Sequence, residues 1–273
     1  MVTAAATVVL AVPGGSAAHA GPPPEVPGDG GYAGAGGYRA PASSLVPPAA
    51  TPPAGYPVTG IDVSSHDHPQ GRMLDWRSLG RSNAFAYVKA TEGAGYTNRY
   101  YRSDVSAAKS AGMYAGAYAF GRPDLGNATG QADHFVDTME DVRDGRTLPP
   151  FLDMEWPYRR LRLPACYRLS AGTMTAWIRT FLERVESRLG VVPMIYTNVN
   201  WWNRCTNRSA AFGHYPLDIS SCAASPPSVP GWGRNWTFWQ YDIPDCTPGL
   251  AHDADVFRGS RTDLATLARQ PRR

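Results

Sequence analysis

Short apolar runs alternate with stretches of helical spacing from residue 58 onward. Eight of these runs are rich in β-branched and aromatic residues and are bounded by turn-forming residues, which predicts strands. They cover residues 60–64, 84–89, 113–120, 150–156, 193–197, 216–220, 237–241 and 253–257. Helices are predicted at residues 98–110, 127–141, 170–189 and 262–269. Strands that alternate with helices favour a mainly parallel sheet.

The number of strands indicates how this sheet is arranged. Eight strands in about 216 residues favour a closed barrel over an open sheet. The later helices are short or missing, so the predicted class is α/β, a single irregular TIM-like barrel with fewer helices than strands, over residues 58–270. The best-defined helix is 170–189, because Ser170 can cap its first turn and Gly190 can end it.

The first 57 residues have the composition of a leader and a spacer. They contain 11 of the 25 prolines and 10 of the 28 glycines but no Trp, Phe, Ile or Cys. Such a segment has too little apolar surface to offset its ordering entropy. An apolar run at residues 3–12 and the tripeptide Ala18-His19-Ala20 predict a signal peptide over 1–20, although no Lys or Arg precedes the run. An ordinary flexible leader is the alternative, and residues 21–57 are predicted to be a disordered linker.

The four cysteines lie at Cys166, Cys205, Cys222 and Cys246. None forms a C-x-x-C pair, which argues against a zinc or thioredoxin-type site. An even number in an exported chain favours two disulfides, and four reduced thiols are the alternative. Three pairings are possible. We favour Cys166 with Cys205 and Cys222 with Cys246, because each bond would close one long excursion in the second half of the chain.

Charge and hydropathy argue against two classes of partner. The net charge is only +3, and no basic run is interleaved with aromatic residues, as a nucleic-acid-binding surface would require. No stretch reaches 18 apolar residues, the minimum for a transmembrane helix. Of the 26 basic residues, 24 are arginine, and only Lys89 and Lys109 are lysine.

Carboxylates interrupt several of the predicted strands. Asp62 lies in the first, Asp153 and Glu155 lie in the fourth, and Asp253 and Asp255 lie in the last. A buried carboxylate is costly unless it is paired, and the acids at the carboxyl ends of barrel strands meet at one mouth. Residues i and i+2 of a strand share a face, so Asp153 and Glu155 should project together. Two carboxylates in one confined site favour a general acid beside a negative stabiliser, the groups needed for glycoside hydrolysis.

The alternative for the D-x-E pair is a helix cap beside a salt bridge. Aromatic residues favour the sugar-site interpretation, because sugar rings pack on aromatic faces, although core packing is the alternative for any one of them. These residues lie on or beside the predicted strands: Tyr87, Tyr118, Tyr196, Trp239 and Tyr241.

Seven motifs appear in order along the predicted barrel: GIDVSSHDHPQG, FAYVKATEG, AYAFGRPD, FLDMEW, PMIYTN followed by WW, FWQYD and DADVF. Together they resemble glycoside hydrolase family 25, the Chalaropsis-type lysozymes or muramidases. The resemblance implies an irregular barrel that cleaves the β-1,4 bond between N-acetylmuramic acid and N-acetylglucosamine in peptidoglycan. It implies a retaining course, for which we favour assistance by the substrate's 2-acetamido group. The chain is expected to be a secreted monomer that acts on peptidoglycan glycan strands without cofactor or metal.

The resemblance also implies roles for individual residues. Glu155 would be the general acid, Asp153 would orient and stabilise, and Asp62 and Asp253 would complete an acidic floor. Asp255 is a less secure match for the role of Asp253. Contacts to the substrate are expected from Gln70, Tyr118, Tyr196, Trp239, Tyr241 and Asp255.

Two positions depart from the family pattern. Ala119 replaces a frequent histidine on the third strand, and Asp218 replaces a frequent tryptophan at the sixth. Both departures would affect substrate positioning at the cleft wall. They favour one alternative function, a non-catalytic wall-binding barrel, which the intact acids oppose. A chitinase is a second alternative, but its longer acidic signature is missing before Asp153. In the His66-Asp67-His68 sequence, two exposed histidines are favoured over a metal site.

Overall fold

The computed structural model describes residues 1, 52–139, 144–243, 245–247, 250 and 252–270. Residues 2–51, which include nearly all of the predicted leader and most of the predicted linker, lie outside this part of the chain. Its strands are β1 (Val58–Val63), β2 (Phe85–Glu92), β3 (Tyr96–Thr97), β4 (Tyr114–Phe120), β5 (Phe151–Asp153), β6 (Met194–Asn198), β7 (Leu217–Ser220), β8 (Phe238–Asp242) and β9 (Asp253–Phe257). Its α-helices are α1 (Trp76–Ser82), α2 (Tyr101–Ser110), α3 (Ala128–Met139), α4 (Ala171–Leu189), α5 (Val199–Cys205) and α6 (Arg261–Leu267).

Eight strands close into a barrel. Their order is β1-β9-β8-β7-β6-β5-β4-β2, and β2 pairs with β1 to complete the ring. Neighbouring strands are parallel except at β9, which runs antiparallel to both β8 and β1. The short β3 adds an antiparallel pairing to the end of β2. The predicted α/β barrel with fewer helices than strands is therefore confirmed, and the direction of β9 is an addition to it.

Aromatic side chains fill the lower part of the barrel interior. Rings from strands that are not neighbours meet there, with 4.9 Å between the centroids of Phe85 and Phe238 and 5.4 Å between those of Tyr87 and Phe238. Gly116 of β4 provides the space, because a Cβ there would lie 2.1 Å from the ring of Tyr87. These rings form an apolar layer in the barrel interior, and the acidic side chains lie at the other end of the barrel.

The best-predicted helix, α4, has the predicted ends. The Ser170 hydroxyl accepts a hydrogen bond from the amide of Thr173, and Gly190 adopts a left-handed conformation with a φ of 66°. The buried face of α4 includes Phe181, which packs with Phe135 of α3 at 6.2 Å between ring centroids. Among the helices of the described residues, none has both the length and the apolar character that a membrane span needs.

The short helices α1 and α5 were not predicted. Each has seven residues, and each begins with a side-chain cap, from Asp75 to the amide of Ser78 and from Asn198 to the amide of Trp201. Two helical turns give only a weak period in the sequence. The caps were therefore the available local signals.

Candidate active site

Acidic side chains meet at the end of the barrel where the parallel strands have their carboxyl ends. Asp62 lies near the end of β1, and its partner in the antiparallel register is Asp253, the first residue of β9. Asp153 is the last residue of β5, and Glu155 follows two residues later. The exposed fractions of Asp153 and Glu155 are both 1%. The fold thus brings together the four acids that the sequence predicted as catalytic.

Gln240 of β8 links two of these acids. Its Nε2 donates hydrogen bonds to Oδ2 of Asp62 at 2.7 Å and to Oδ2 of Asp253 at 3.2 Å. Its Oε1 accepts hydrogen bonds from the hydroxyls of Tyr196 at 2.8 Å and Ser220 at 2.7 Å. Because both ends of the amide are used, its orientation is fixed, and the two acids are held with it. Sequence reasoning missed Gln240, although a glutamine inside an apolar strand was an available signal.

The shape of the chain around Glu155 differs from the prediction. A single strand over residues 150–156 is wrong, because β5 ends at Asp153. The Met154 carbonyl then accepts a hydrogen bond from the Thr197 hydroxyl at 2.7 Å, and the Glu155 carbonyl accepts one from the Tyr167 hydroxyl at 3.0 Å. Glu155 therefore lies in a loop segment that is bound to β6 and to Tyr167, and strand alternation does not set its position.

Burial is the main cause of the pKa shifts at this site. It raises the pKa of Asp62 to about 7, against a lowering by the hydrogen bond from Gln240. Burial also raises the pKa of Asp153 well above its ordinary value; the charge of Glu155 raises it further, and the charge of Lys89 lowers it. The pKa of Asp253 is raised by burial and by the charge of Asp62. Protonated and ionised carboxyl groups can therefore coexist here near neutral pH, as acid catalysis requires.

Two further acids face the barrel interior. Asp255 pairs with Gly60 of β1 and Gln240 of β8, and Asp218 of β7 pairs with Tyr196 of β6. Burial and then the charge of Asp62 raise the pKa of both acids. The amide of Gln240 joins Asp62 to Asp253, so the geometry favours Asp253 over Asp255 as the acid of the floor.

Two of the predicted substrate-binding aromatics point into the barrel. Tyr118 stacks on Phe151 with 5.0 Å between ring centroids, and Tyr196 lies on the other side of the same ring at 5.7 Å. The negative charges of Asp62 and Asp153 act on both phenols, whose pKa values are raised mainly by burial. These two tyrosines therefore belong to the environment of the acids.

The other two predicted substrate-binding aromatics are Trp239 and Tyr241 of β8. They lie on the face of β8 opposite to Gln240 and pack in the core outside the barrel. Trp239 is 1% exposed, and its Nε1 donates to the carbonyl of Ser221 at 2.8 Å. Successive residues of a strand point to opposite faces, so these two rings do not share the face of Gln240, and their contact with substrate stays a prediction.

The two positions that depart from the family pattern, Ala119 and Asp218, lie on different sides of the barrel wall. Ala119 is buried in the core outside the barrel, so this departure from histidine does not lie in the barrel interior. Asp218, the second departure, does face the interior. Gln70 lies exposed in the loop after β1 with a φ of 56°, and its contact with substrate stays a prediction.

The His66-Asp67-His68 sequence forms part of the loop between β1 and α1. Asp67 accepts a hydrogen bond from the amide of Ser64 at 2.8 Å and lies 2.9 Å from Nδ1 of His252. The expectation of two exposed histidines is wrong: His66 is half-buried, and His68 is 4% exposed and lies 2.8 Å from Oδ2 of Asp104. The described residues contain no group of three His, Cys, Asp or Glu side chains that could hold a metal ion.

Both favoured disulfides are present. Cys166 is bonded to Cys205, and Cys222 is bonded to Cys246. The first joins the loop after β5 to the end of α5, next to Tyr167, which holds the Glu155 carbonyl. The first bond therefore restrains the segment that positions Glu155.

Comparison with known proteins gives consistent matches. The model of the family described as Glycosyl hydrolases family 25 matches residues 61–250. The chain is 38% identical to Lysozyme M1 of Streptomyces globisporus, over 77% of this chain and 71% of that protein. It is 39% identical to the N,O-diacetylmuramidase of a Chalaropsis species, over 67% of this chain and 87% of that protein.

Solved structures agree with these matches. The bacterial lysozyme from Streptomyces coelicolor has a TM-score of 0.70 and 35% identity, over 79% of this chain and 98% of that one. The family GH25 lysozyme from Aspergillus fumigatus has a TM-score of 0.70 and 34% identity, over 77% of this chain and 98% of that one.

Proposed function

Because the chain belongs to the glycosyl hydrolases of family 25, we propose that it is a muramidase, which hydrolyses the β-1,4 bond between N-acetylmuramic acid and N-acetylglucosamine in peptidoglycan. The names of two similar proteins, a lysozyme and an N,O-diacetylmuramidase, support this substrate. The observation that carries the proposal is the buried Asp153–Glu155 pair, whose charges act on each other at the mouth of the barrel.

The two carboxyl groups have different tasks in the proposed reaction. Glu155 gives its proton to the glycosidic oxygen while the bond from that oxygen to C1 breaks. The acetamido oxygen of the sugar that contains C1 bonds to C1 from the opposite face. Asp153 accepts a hydrogen bond from the acetamido N–H as positive charge develops on that sugar. Water then attacks C1, the bond from C1 to the acetamido oxygen breaks, and a proton of the water passes to Glu155. Two inversions at C1 give retention, a course that uses the substrate as nucleophile.

Asp62 and Asp253 support this pair from the opposite side of the barrel mouth. Both accept hydrogen bonds from Gln240, which fixes their positions relative to each other. The hydroxyl of Tyr196 reaches the same amide, which connects the floor to β6 and thereby to the segment that holds Glu155. We assign these residues to substrate positioning and electrostatic support.

We also propose that the chain is exported from the cell. The two disulfides are of the kind that forms and persists in an oxidising compartment. We infer that the chain acts outside the cell on glycan strands of the wall, delivered by the leader predicted over residues 1–20.

Mass spectrometry of products from purified peptidoglycan tests the bond that is cleaved. We expect fragments with N-acetylmuramic acid at the reducing end. Fragments with N-acetylglucosamine at that end would contradict the proposal, and binding without any products would favour the non-catalytic wall-binding alternative.

The Glu155→Gln variant tests the assigned acid. It should keep the fold, by circular dichroism, and lose all but about one hundredth of the rate or less, since acid catalysis contributes about 10²–10⁴-fold. Glu183→Gln, on the exposed side of α4, is the matched control and should keep the wild-type rate. A Glu155→Gln rate above about one hundredth of wild type would exclude Glu155 as the general acid.

A further inference from the structure

A buried lysine lies beside the proposed catalytic pair. Lys89 is 1% exposed and projects from β2 into the barrel, in a chain that uses arginine at 24 of its 26 basic positions. Its ammonium lies 5.1 Å from the centre of the Phe120 ring, and Phe120 is the register partner of Asp153 between β4 and β5. The site therefore has a fixed positive charge next to its acids, which no feature of the sequence had assigned.

Two hydrogen bonds from this ammonium, and a third between their two acceptors, fix its position. Lys89 Nζ donates to Oε2 of Glu92 at 3.0 Å and to the hydroxyl of Tyr158 at 2.6 Å. The same hydroxyl donates to Oε2 of Glu92 at 3.0 Å. The rings of Tyr96, Phe120 and Tyr158 all lie between 5.1 and 5.6 Å from Nζ. A compact ammonium suits this cage better than the planar guanidinium of arginine would.

Glu92 does not cancel the charge of Lys89, because it has a second cation. Its Oε1 accepts a hydrogen bond from Arg122 at 3.1 Å, and Arg122 is also bound to both oxygens of Asp124, at 2.9 and 2.8 Å. Charges therefore alternate in sign along the series Asp124, Arg122, Glu92 and Lys89. Lys89 is the positive end of this series, and its charge acts on Asp153.

We propose that Lys89 is a positioning residue, whose caged ammonium keeps one negative charge on the Asp153–Glu155 pair so that the pair enters the reaction with a single proton. The proposal rests on the proposed function, because a general acid beside an ionised stabiliser needs this state. Burial and neighbouring acids all favour protonation of the pair, and the charge of Lys89 lowers the pKa of Asp153 against them. The ionisable groups whose charges act on or around Asp153 are Asp62, Lys89, Tyr118, Glu155, Tyr167, Tyr196 and Asp218.

The test removes the charge and follows the protonation of the pair without substrate. In Lys89→Met, the first ionisation of the pair, followed by ¹³C NMR of labelled carboxyl groups and assigned with Asp153→Asn, should move up by about one pH unit or more. The acidic limb of kcat/KM should move in the same direction with little change in KM. Lys89→Arg should restore part of the shift.

The matched control is Lys109→Met, which removes the only other lysine. Lys109 is bound to Asp144 at 2.8 Å and Thr147 at 2.7 Å, away from the barrel mouth, so neither midpoint should move. Glu92→Gln tests the same charge from the other side, also in the event that Lys89→Met does not fold. It removes a negative charge and should lower the first ionisation of the pair.

The outcomes separate this proposal from the proposed function. An unchanged first ionisation in Lys89→Met or in Glu92→Gln would overturn the role of Lys89. If the ionisation moves as expected but the wild-type protein releases no muramic-acid products, the role of Lys89 stands as an electrostatic one and the muramidase proposal fails.

Discussion

The substitution Gln240→Met tests whether one buried amide holds the acidic floor together. Methionine has a similar length and fills the space, but it can neither donate to Asp62 and Asp253 nor accept from Tyr196 and Ser220. Four buried groups would lose a partner at once. At about 1 kcal/mol for each hydrogen bond, the unfolding free energy at pH 5 should fall by about 3–4 kcal/mol.

The loss should grow with pH. The hydrogen bond from Gln240 lowers the pKa of Asp62, which burial has raised to about 7, so its removal raises that pKa further. A native carboxyl group that holds its proton beyond pH 7, while the unfolded one releases it near 3.9, costs stability as pH rises, by at most about 1.4 kcal/mol per pH unit. Between pH 5 and pH 8 the variant should therefore lose about 1 kcal/mol more than the wild type.

Urea denaturation followed by tryptophan fluorescence, at pH 5 and at pH 8, measures both effects. Gln131→Met is the matched control, because Gln131 is equally buried but is bound to the backbone of Arg122 and Gly126 rather than to acids. It should lose about 2–3 kcal/mol at either pH. A loss below about 1 kcal/mol for Gln240→Met, or the same pH dependence in both variants, would refute the reasoning.

Three more outcomes are expected. The melting temperature of the wild type should fall from pH 5 to pH 8, because acids with raised pKa values, such as Asp62, bind more protons in the native state than in the unfolded one; a rise would contradict this. Replacing both cysteines by alanine should cost about 4 kcal/mol for the Cys166–Cys205 bond, which spans 39 residues, and slightly less for the Cys222–Cys246 bond, which spans 24, by denaturation of each variant. Trp239→Phe should lower stability yet leave KM for peptidoglycan within about two-fold, because the ring packs outside the barrel. A larger change in KM would indicate that Trp239 contacts the substrate.

Local signals predicted the elements whose ends depend on nearby residues. The hydroxyl of Ser170 and the left-handed Gly190 define α4 within its own sequence. The direction of β9 could not be predicted, because a strand has the same residue alternation when it is read in either direction. The period of a strand likewise does not tell which face is inside when both faces are buried, so Trp239 and Gln240 could not be separated.

The acids of the site were more predictable than the groups that hold them. Asp62, Asp153 and Asp253 are carboxylates in apolar strands. A carboxylate in such a position is costly, so it can be recognised as unusual before its partners are known. The role of Gln240 depends on its hydrogen bond to Asp62, which lies 178 residues away in the chain. Glu155 was correctly grouped with Asp153, but its position depends on Thr197 and Tyr167, which no local pattern connects to it.

The antiparallel pairing of β1 with β9 affects how the protein folds during its synthesis. Its register sets Asp62 opposite Asp253, so one side of the barrel joins the beginning of the domain to its end. A chain still on the ribosome cannot assemble the acidic floor before residue 253 has emerged, however well the earlier strands have already paired. Synthesis from the N-terminus therefore leaves the hydrolytic centre incomplete until β9 is available, and closure of the ring and assembly of the site are one event.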